Sequence, residues 1–415
     1  MDSRVRRVLL LLSAAELLTM SLWFTGTAVL PQLLRQWHTT LAVASWLTLA
    51  VQLGFVAGAL GSALANLPDL FSSPRIFVVS SLAAGVCNAL FSSAATANRI
   101  PLAIAFRFLT GFFLAGVYPV GMKIMAGWFR EGRGLALGVL IGALTLGSSV
   151  PHALAATTFV ATFGWQTAVL ASSFLALLGA LIVAFVVREG PYAAAQAPFR
   201  LGQIGEVLHN RRLRLANLGY LGHMWELYSM WAWIAVILGV AQIHGDSLYR
   251  LAAEAQQRGE MFGALAIGIG VAGCVWAGAL ADRLRGERIA GRARVTIVAM
   301  LVSGGCCLLA ALVFEHFYLL LAVSLVWGVA VIADSAQFSA IVSETSDPNY
   351  VGTALTMQTA LGFLLTVAAI RFVPWMAEHA SLRWAIAAMA VGPLLGAWAM
   401  RGLEKPAALP AGAPK

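Results

Sequence analysis

The chain has 415 residues and a formal net charge of +9; 60% of its residues are hydrophobic and 11% are charged. A soluble protein carries about 25% charged residues and fewer than half apolar ones, so a soluble multidomain enzyme is excluded. A mean hydropathy of +0.83 in long apolar runs excludes a disordered chain, and runs that stay apolar for about 20 residues do not alternate as outer-membrane strands do. A polytopic helical membrane protein remains.

The apolar runs are read in chain order as membrane-spanning helices. The first covers residues 8–30, after Arg4, Arg6 and Arg7. Its apolar stretch before Ser13-Ala14-Ala15 is too short for a signal-peptide core and the hydrophobicity continues, so it reads as an uncleaved helix. Further spans follow at 41–64, 76–96, 102–125, 135–160 and 167–187. A polar stretch, 188–214, separates these from spans at 215–240, 261–281, 295–313, 317–342, 353–372 and 385–400. The expected fold class is therefore an all-α membrane protein with 12 transmembrane helices. It divides into a six-helix bundle over 1–187, a linker over 188–214 and a second bundle over 215–415. Within the linker, Leu201, Ile204, Val207 and Leu208 recur at helical spacing ahead of Arg211, Arg212 and Arg214. That pattern predicts an amphipathic helix over 201–215 lying on the anionic cytoplasmic leaflet.

Sorting Lys and Arg by alternate loops puts 19 of the 27 on one side and six on the other, with Arg107 and Lys123 inside a span. Positive loops face the cytoplasm, so both termini and the linker are expected there. The basic balance is thus a topology signal, and nucleic acid is not an expected partner. Cys87, Cys274, Cys306 and Cys307 lie inside apolar runs without metal-ligand spacing and read as small hydrophobes.

Two stretches repeat at an offset of 210 residues. Glu16, Leu17, Met20 and Trp23 match Glu226, Leu227, Met230 and Trp233, and Thr19 faces Ser229. A fainter echo pairs Ala63-Leu64-Ala65-Asn66 with Ala279-Leu280-Ala281-Asp282. The copies run in the same direction, which predicts two parallel six-helix bundles related by a pseudo-twofold axis, with a site between them at mid-membrane.

With these residues the chain resembles the major facilitator superfamily over nearly its whole length. Gly278-x-Leu280-Ala281-Asp282-Arg283 is similar to the family's G-x-L-A-D-R loop, and Arg107-x-x-x-Gly111 to its R-x-x-x-G motif. In the first half the loop motif is degraded to Ser62-Ala63-Leu64-Ala65-Asn66. The resemblance implies gating roles for Asp282, Arg283 and Asn66. The Gly-Pro pair of drug/proton antiporters is absent from the fifth span, which argues against multidrug export. The run from Tyr118-Pro119 through Trp128-Phe129 to Arg133-Gly134 is similar to organic-anion and nitrate branches. Nitrate itself is set aside, because the clamp arginines of spans two and eight are missing.

An ionisable group in hydrocarbon costs at least about 2.5–3.5 kcal/mol, so each one needs a reason. Glu16 and Glu226, placed equivalently by the repeat and expected to face the cavity, are candidate proton sites. His223 is one turn from Glu226 on the same face and joins them as a relay partner, as does Asp334 in the tenth span. For the solute, Arg107 offers a forked, permanently charged anchor for an anionic group. Lys123, His152, Gln337, Trp23, Tyr228 and Trp233 are the other candidate solute contacts. Each has a structural alternative: Arg107 as a helix brace, Lys123 reaching for the interface, the tryptophans as groove fillers. Gly268-x-Gly270-x-x-Gly273 matches a dinucleotide fingerprint but lies inside a span with no preceding strand, so it reads as helix packing. No Walker motif, catalytic triad or metal-ligand spacing is present, and neither an enzyme nor a cofactor or metal is expected.

The leading expectation is a proton-coupled secondary active transporter that moves a small polar or anionic organic solute by alternating access. Its partners would be that solute, protons and the bilayer, with the protein a monomer in a bacterial inner membrane. The alternatives are an efflux carrier for a metabolite or amphipathic compound, and a non-transporting membrane sensor or assembly factor. The charge asymmetry makes a direct prediction: a cysteine placed at Ala195 in the linker is expected to resist a membrane-impermeant thiol reagent added to intact cells. Labelling from outside overturns the orientation.

Overall fold

The computed structural model describes residues 2–65, 67–94, 96, 99–192, 201–242, 253–284, 288–347 and 349–404, and regular structure among them is helical throughout. Among the described residues eleven helices are long and apolar enough to cross a membrane. They follow α1 (Ser3–Met20). In the first half they are α2 (Trp46–Leu64), α3 (Ser73–Ala94), α4 (Ile100–Trp128), α5 (Arg133–Ala155) and α6 (Gln166–Val186). In the second half they are α7 (Arg211–Gln242), α8 (Gln256–Arg283), α9 (Ile289–Leu312), α10 (Phe317–Thr345), α11 (Val351–His379) and α12 (Leu382–Leu403).

Most of the packing inside each half follows one scheme, except that α7 also packs on α8 where α1 has no comparable contact with α2. In the first, α1 lies against α5 and α6, α2 against α4, and α3 against α4 and α6. In the second, α7 lies against α11 and α12, α8 against α10, and α9 against α10 and α12. Adding six to each helix number converts the first set into the second, which is the parallel repeat expected from Glu16 and Glu226. Between the halves, α5 meets α8 and α2 meets α11. The second helix of each half thus touches the fifth of the other, as a twofold relation requires.

Apolar side chains gain nothing by leaving lipid for protein, so helices in a membrane associate where small residues let backbones approach. Gly54 and Gly111 do this between α2 and α4. A Cβ at the first would strike the Phe108 carbonyl and one at the second the Val51 carbonyl. The equivalent crossing of α8 with α10 uses Gly270 and Gly273 against the backbones of Gly328 and Val329. The apparent dinucleotide fingerprint is therefore a helix-packing seam.

Among the described residues spans one, four, eight, ten and twelve are interrupted, the eighth at Ile269 and the twelfth at Ala390. After Met20 the chain makes a turn over 21–24 before short helices at Thr25–Ala28 and Leu30–Trp37. Span four breaks between Leu114 and Tyr118, where Pro119 begins a new helix, and span ten breaks at Asp334. Several helices also run past their expected ends. The helix of the eighth span starts at Ala253 instead of 261, which brings Glu260 inside it.

The linker departs from expectation. Its 201–215 segment is not one amphipathic helix, because Asn210 accepts hydrogen bonds from the backbone N–H groups of Arg212 (3.0 Å) and Leu213 (3.3 Å) and so starts α7 there. The short helix Ile204–His209 that precedes it packs on α7 and α11 and buries Val207. Residue Ala195 and the gating candidate Asn66 lie outside the described residues.

The glycine seam predicts that Gly111→Leu, which drives a side chain into the α2 backbone, costs at least about 1–3 kcal/mol. A lowered melting temperature of the purified protein would show it. An unchanged value would mean that the two helices do not need this approach.

Candidate functional site

The interruption of α1 exists because another helix supplies what the backbone loses. Arg107 on α4 is fully buried, and each of its three nitrogens donates to protein oxygen. Nη1 reaches the Leu22 carbonyl (3.1 Å), Thr25 Oγ1 (2.8 Å) and Asn88 Oδ1 (2.7 Å). Nη2 donates to the Trp23 carbonyl and Nε to the Leu47 carbonyl (3.3 Å). Irregular backbone at membrane depth survives only where protein or water satisfies it. Arg107 is that protein partner, so in this state the fork expected to hold a solute anion is occupied by the turn of α1. It makes no ion pair with Glu16.

The turn aims Trp23 and Phe24 at the other half. Trp23 lies 5.0 Å from Phe55 of α2, 6.0 Å from Tyr228 of α7 and 5.5 Å from Phe363 of α11, between ring centroids. Phe24 stacks on Tyr228 at 6.2 Å and meets Trp231 edge-on at 5.9 Å. Phe55 and Phe363 approach to 4.3 Å. These rings belong to four spans and join the two halves in one buried cluster. Trp23 Nε1, Trp231 Nε1 and both amide atoms of Gln52 are buried with no hydrogen-bond partner among the described residues. Trp233, a sequence candidate beside them, instead donates from Nε1 to the Ile370 carbonyl (3.0 Å) and ties α7 to α11.

The buried acids form three settings. Glu16 is wholly enclosed, its carboxylate against Gly121 in the second part of span four, and neither oxygen has a partner among the described residues. Glu226, its repeat mate, also faces the third and fourth spans of its half. It accepts from Trp327 Nε1 (2.7 Å) and Cys307 Sγ (3.1 Å) on one oxygen and from Ser303 Oγ (2.9 Å) on the other. Both carboxylates therefore point into their own bundles, not toward a cavity between them. His223 faces Asp334 and not Glu226: its Nδ1 is 2.8 Å from Asp334 Oδ1, at the break in span ten. A second imidazole–carboxylate pair, His152 Nδ1 to Glu260 Oε2 at 2.6 Å, crosses from α5 to α8. His152 also borders the aromatic cluster, 6.3 Å from Phe24, and its Nε2 has no partner among the described residues.

Hydrogen bonds join the two halves near both ends of their contact. At one end, Asp282 accepts the backbone N–H groups of Gly134 (3.1 Å) and Leu135 (2.8 Å), capping the start of α5 where the helix dipole favours an anion. Gly134, Gly138 and Gly278 bring the two backbones together there. Arg283, the next motif residue, is exposed. At the opposite end, Arg35 donates to Gln256 (2.8 Å), Gln257 to the Ala156 carbonyl (2.9 Å) and Arg371 to Ser45 Oγ (3.3 Å), alongside His152 and Glu260. Gln337 accepts from Arg292 (2.8 Å), which also pairs with Glu344, and Lys123 is half-buried on the second part of span four.

A model of the Major Facilitator Superfamily matches residues 11–284. The chain belongs to this superfamily. As the family implies, it is a multi-pass membrane protein of the transporter type. A curated relative, the niacin transporter NiaP of Acinetobacter baylyi, is 27% identical over 175 residues. That match spans 40% of this chain and 36% of the relative, well under the length of either. Two solved structures of a bacterial homologue of the human lysosomal transporter Spinster, both inward-facing, share the fold. One is occupied and one unoccupied; each has a TM-score of 0.67 over 97% of this chain, at 16% and 14% identity. They cover 97% and 98% of their own lengths.

Sequence reasoning missed Glu260, Gln52, Phe55, Phe363 and the three donors around Glu226. Glu260 had a signal: Gly259 and Gly263 are four apart and both pack on the α7 backbone at Ala235, marking helix where the apolar run has not begun. If Arg107 is a brace, Arg107→Lys, which keeps the charge and loses the fork, is expected to cost about 2–3 kcal/mol of stability. A thermal melt of the purified variant reads this. An unchanged melt with weakened solute binding would return Arg107 to the solute.

Proposed function

We propose that this protein is a proton-coupled symporter that carries a small polar or anionic organic solute by alternating access between its two six-helix halves. The observation that carries the proposal is that Glu16, Glu226, Glu260 and Asp334 are buried and none has a Lys or Arg partner among the described residues. A carboxylate in an apolar interior is tolerated only with its charge neutralised or richly hydrogen-bonded. Glu226 has three donors; the counter-charge available to the others is a proton, on a neighbouring imidazole or on the carboxyl itself. A carrier that must bring protons to change conformation is built from such groups.

Among the proposed proton sites, Glu16, Glu226, His223 and Asp334, the first place goes to Glu16, which has no donor to hold it as an anion. The pair His152 and Glu260 joins them because it spans the halves and touches the aromatic cluster. The solute is assigned to that cluster, where α1, α2, α7 and α11 meet. Niacin, which the relative's name gives as its substrate, is a pyridine carboxylate and falls in the proposed class. The charge asymmetry supports cytoplasmic termini; the proposed setting is a bacterial inner membrane, and the described fold needs no second copy to complete its site.

Proteoliposomes with an imposed pH gradient, acid outside, test this with niacin as the first probe. The wild type is expected to concentrate solute. Glu16→Gln, a permanent mimic of the protonated acid, is expected to lose at least tenfold of the gradient-driven accumulation while keeping counterflow exchange. Gradient-driven accumulation at the wild-type level in Glu16→Gln moves the proton site to His152–Glu260 or His223–Asp334. A wild type that ignores the gradient sinks proton coupling altogether.

A further inference from the structure

The chemistry left open in the aromatic cluster narrows the solute further than charge alone does, and the argument rests on the reading that this cluster is the solute site. Thr48, Gln52 and Phe55 recur at i, i+4 and i+7 on one face of α2. Thr48 is hydrogen-bonded to Thr27 beyond the turn of α1 (2.7 Å), and Phe55 packs on Trp23 of that turn. Gln52 lies between them on the same stripe, wholly buried, with its amide N–H₂ and its carbonyl both unmatched among the described residues. Trp23 and Trp231 are each 1% exposed, and each leaves an indole N–H without an acceptor. Tyr228 touches both, at 6.0 and 5.9 Å. A buried donor or acceptor without a partner costs about 1–3 kcal/mol, so three such groups around one set of rings constitute a deficit that a ligand can fill.

We infer that the cluster receives a flat aromatic ring whose polar edge both accepts and donates: a carboxamide, a lactam, or a carboxylic acid that arrives with its proton. Three observations fix the class. The walls are aromatic faces from both halves, which reward a planar ring by offset stacking worth about 0.5–1.5 kcal/mol per pair beyond burial. The unmatched polar groups are neutral, and Arg107 is committed to the turn of α1, so an unaccompanied anion would lie without a counter-charge. The Gln52 amide offers a donor beside an acceptor, the complement of an amide or carboxylic acid edge, while the indoles donate to acceptors elsewhere on the ring. An aromatic carboxylate enters this scheme as its neutral acid, which places solute and proton in one site.

Benzamide and cyclohexanecarboxamide test the inference. They carry the same amide on a flat and a puckered ring, and the puckered one is the more hydrophobic, so plain burial would favour it. Binding to the full-length protein in lipid nanodiscs is followed by saturation-transfer NMR titration. Benzamide is expected to bind about tenfold more tightly. Gln52→Leu is expected to weaken benzamide about tenfold, and Trp23→Phe, which keeps a ring and removes the N–H, about threefold. Because Gln52→Leu also removes an unmatched amide from the interior, its melting temperature is expected to stay level or rise, which separates a binding role from a structural one. Equal binding of the two amides, no binding of benzamide, or benzamide binding untouched by both variants overturns the inference. A parallel uptake assay keeps the two readings apart. Gradient-driven concentration of a non-aromatic solute would overturn the ring assignment and leave proton coupling standing. Benzamide binding in a protein that ignores a pH gradient would do the reverse.

Discussion

Five oxygens converge on the Arg107 guanidinium, and the break in the first helix depends on them. Without that cation the carbonyls of Leu22 and Trp23 would face an apolar interior unpaired, and the chain would be driven back toward a continuous helix. A continuous helix would carry Trp23 and Phe24 around its axis, away from Tyr228 and Phe363. The meeting of the two halves at a common aromatic centre is thus downstream of one buried charge. Thr25 and Asn88 share the same knot, Thr25 Oγ1 donating to Asn88 Oδ1 at 2.8 Å, so α3 is drawn into holding the turn as well.

The repeat duplicates positions without duplicating chemistry. Glu16 and Glu226 occupy matching places and face matching helices, yet one is bare and the other receives three donors. The donors come from α9 and α10 as Ser303, Cys307 and Trp327, where the first half presents Gly121 and the ring of Phe77. A duplicated scaffold has in this way acquired one acid that is held in place and one that is not. The two imidazole–carboxylate pairs add a second asymmetry: His223 and Asp334 lie within one half, while His152 and Glu260 join both.

Much of the architecture was legible because a bilayer permits few solutions. Apolar run length and the 210-residue offset led to two parallel six-helix bundles, and Asp282 lies at the end of α8, against the start of α5. What could not be read was which side chains meet across helices distant in sequence. His223 and Glu226 share a face by spacing, but the partner of His223 came from a helix more than a hundred residues away. Arg107 looked available because nothing local could satisfy it; its acceptors come from a backbone break with no proline or glycine inside the 21–24 turn to announce it. The linker helix was overextended because an apolar period carries no sign of the Asn210 cap that divides it.

The helix pair α5 and α8 is fastened at both ends, by Asp282 on the first N–H groups of α5 and by His152 with Glu260 some 18 residues further along. At 1.5 Å per residue the two fasteners stand about 27 Å apart, nearly the thickness of the hydrocarbon layer. Such a pair works as a beam balance, in which the resting tilt is set by the difference between two small weights and not by either alone. Each 1.4 kcal/mol removed from one pan multiplies the opposite tilt tenfold. A change in the imidazole–carboxylate pair at one end and in the backbone cap at the other would therefore be weighed against each other along the length of the pair.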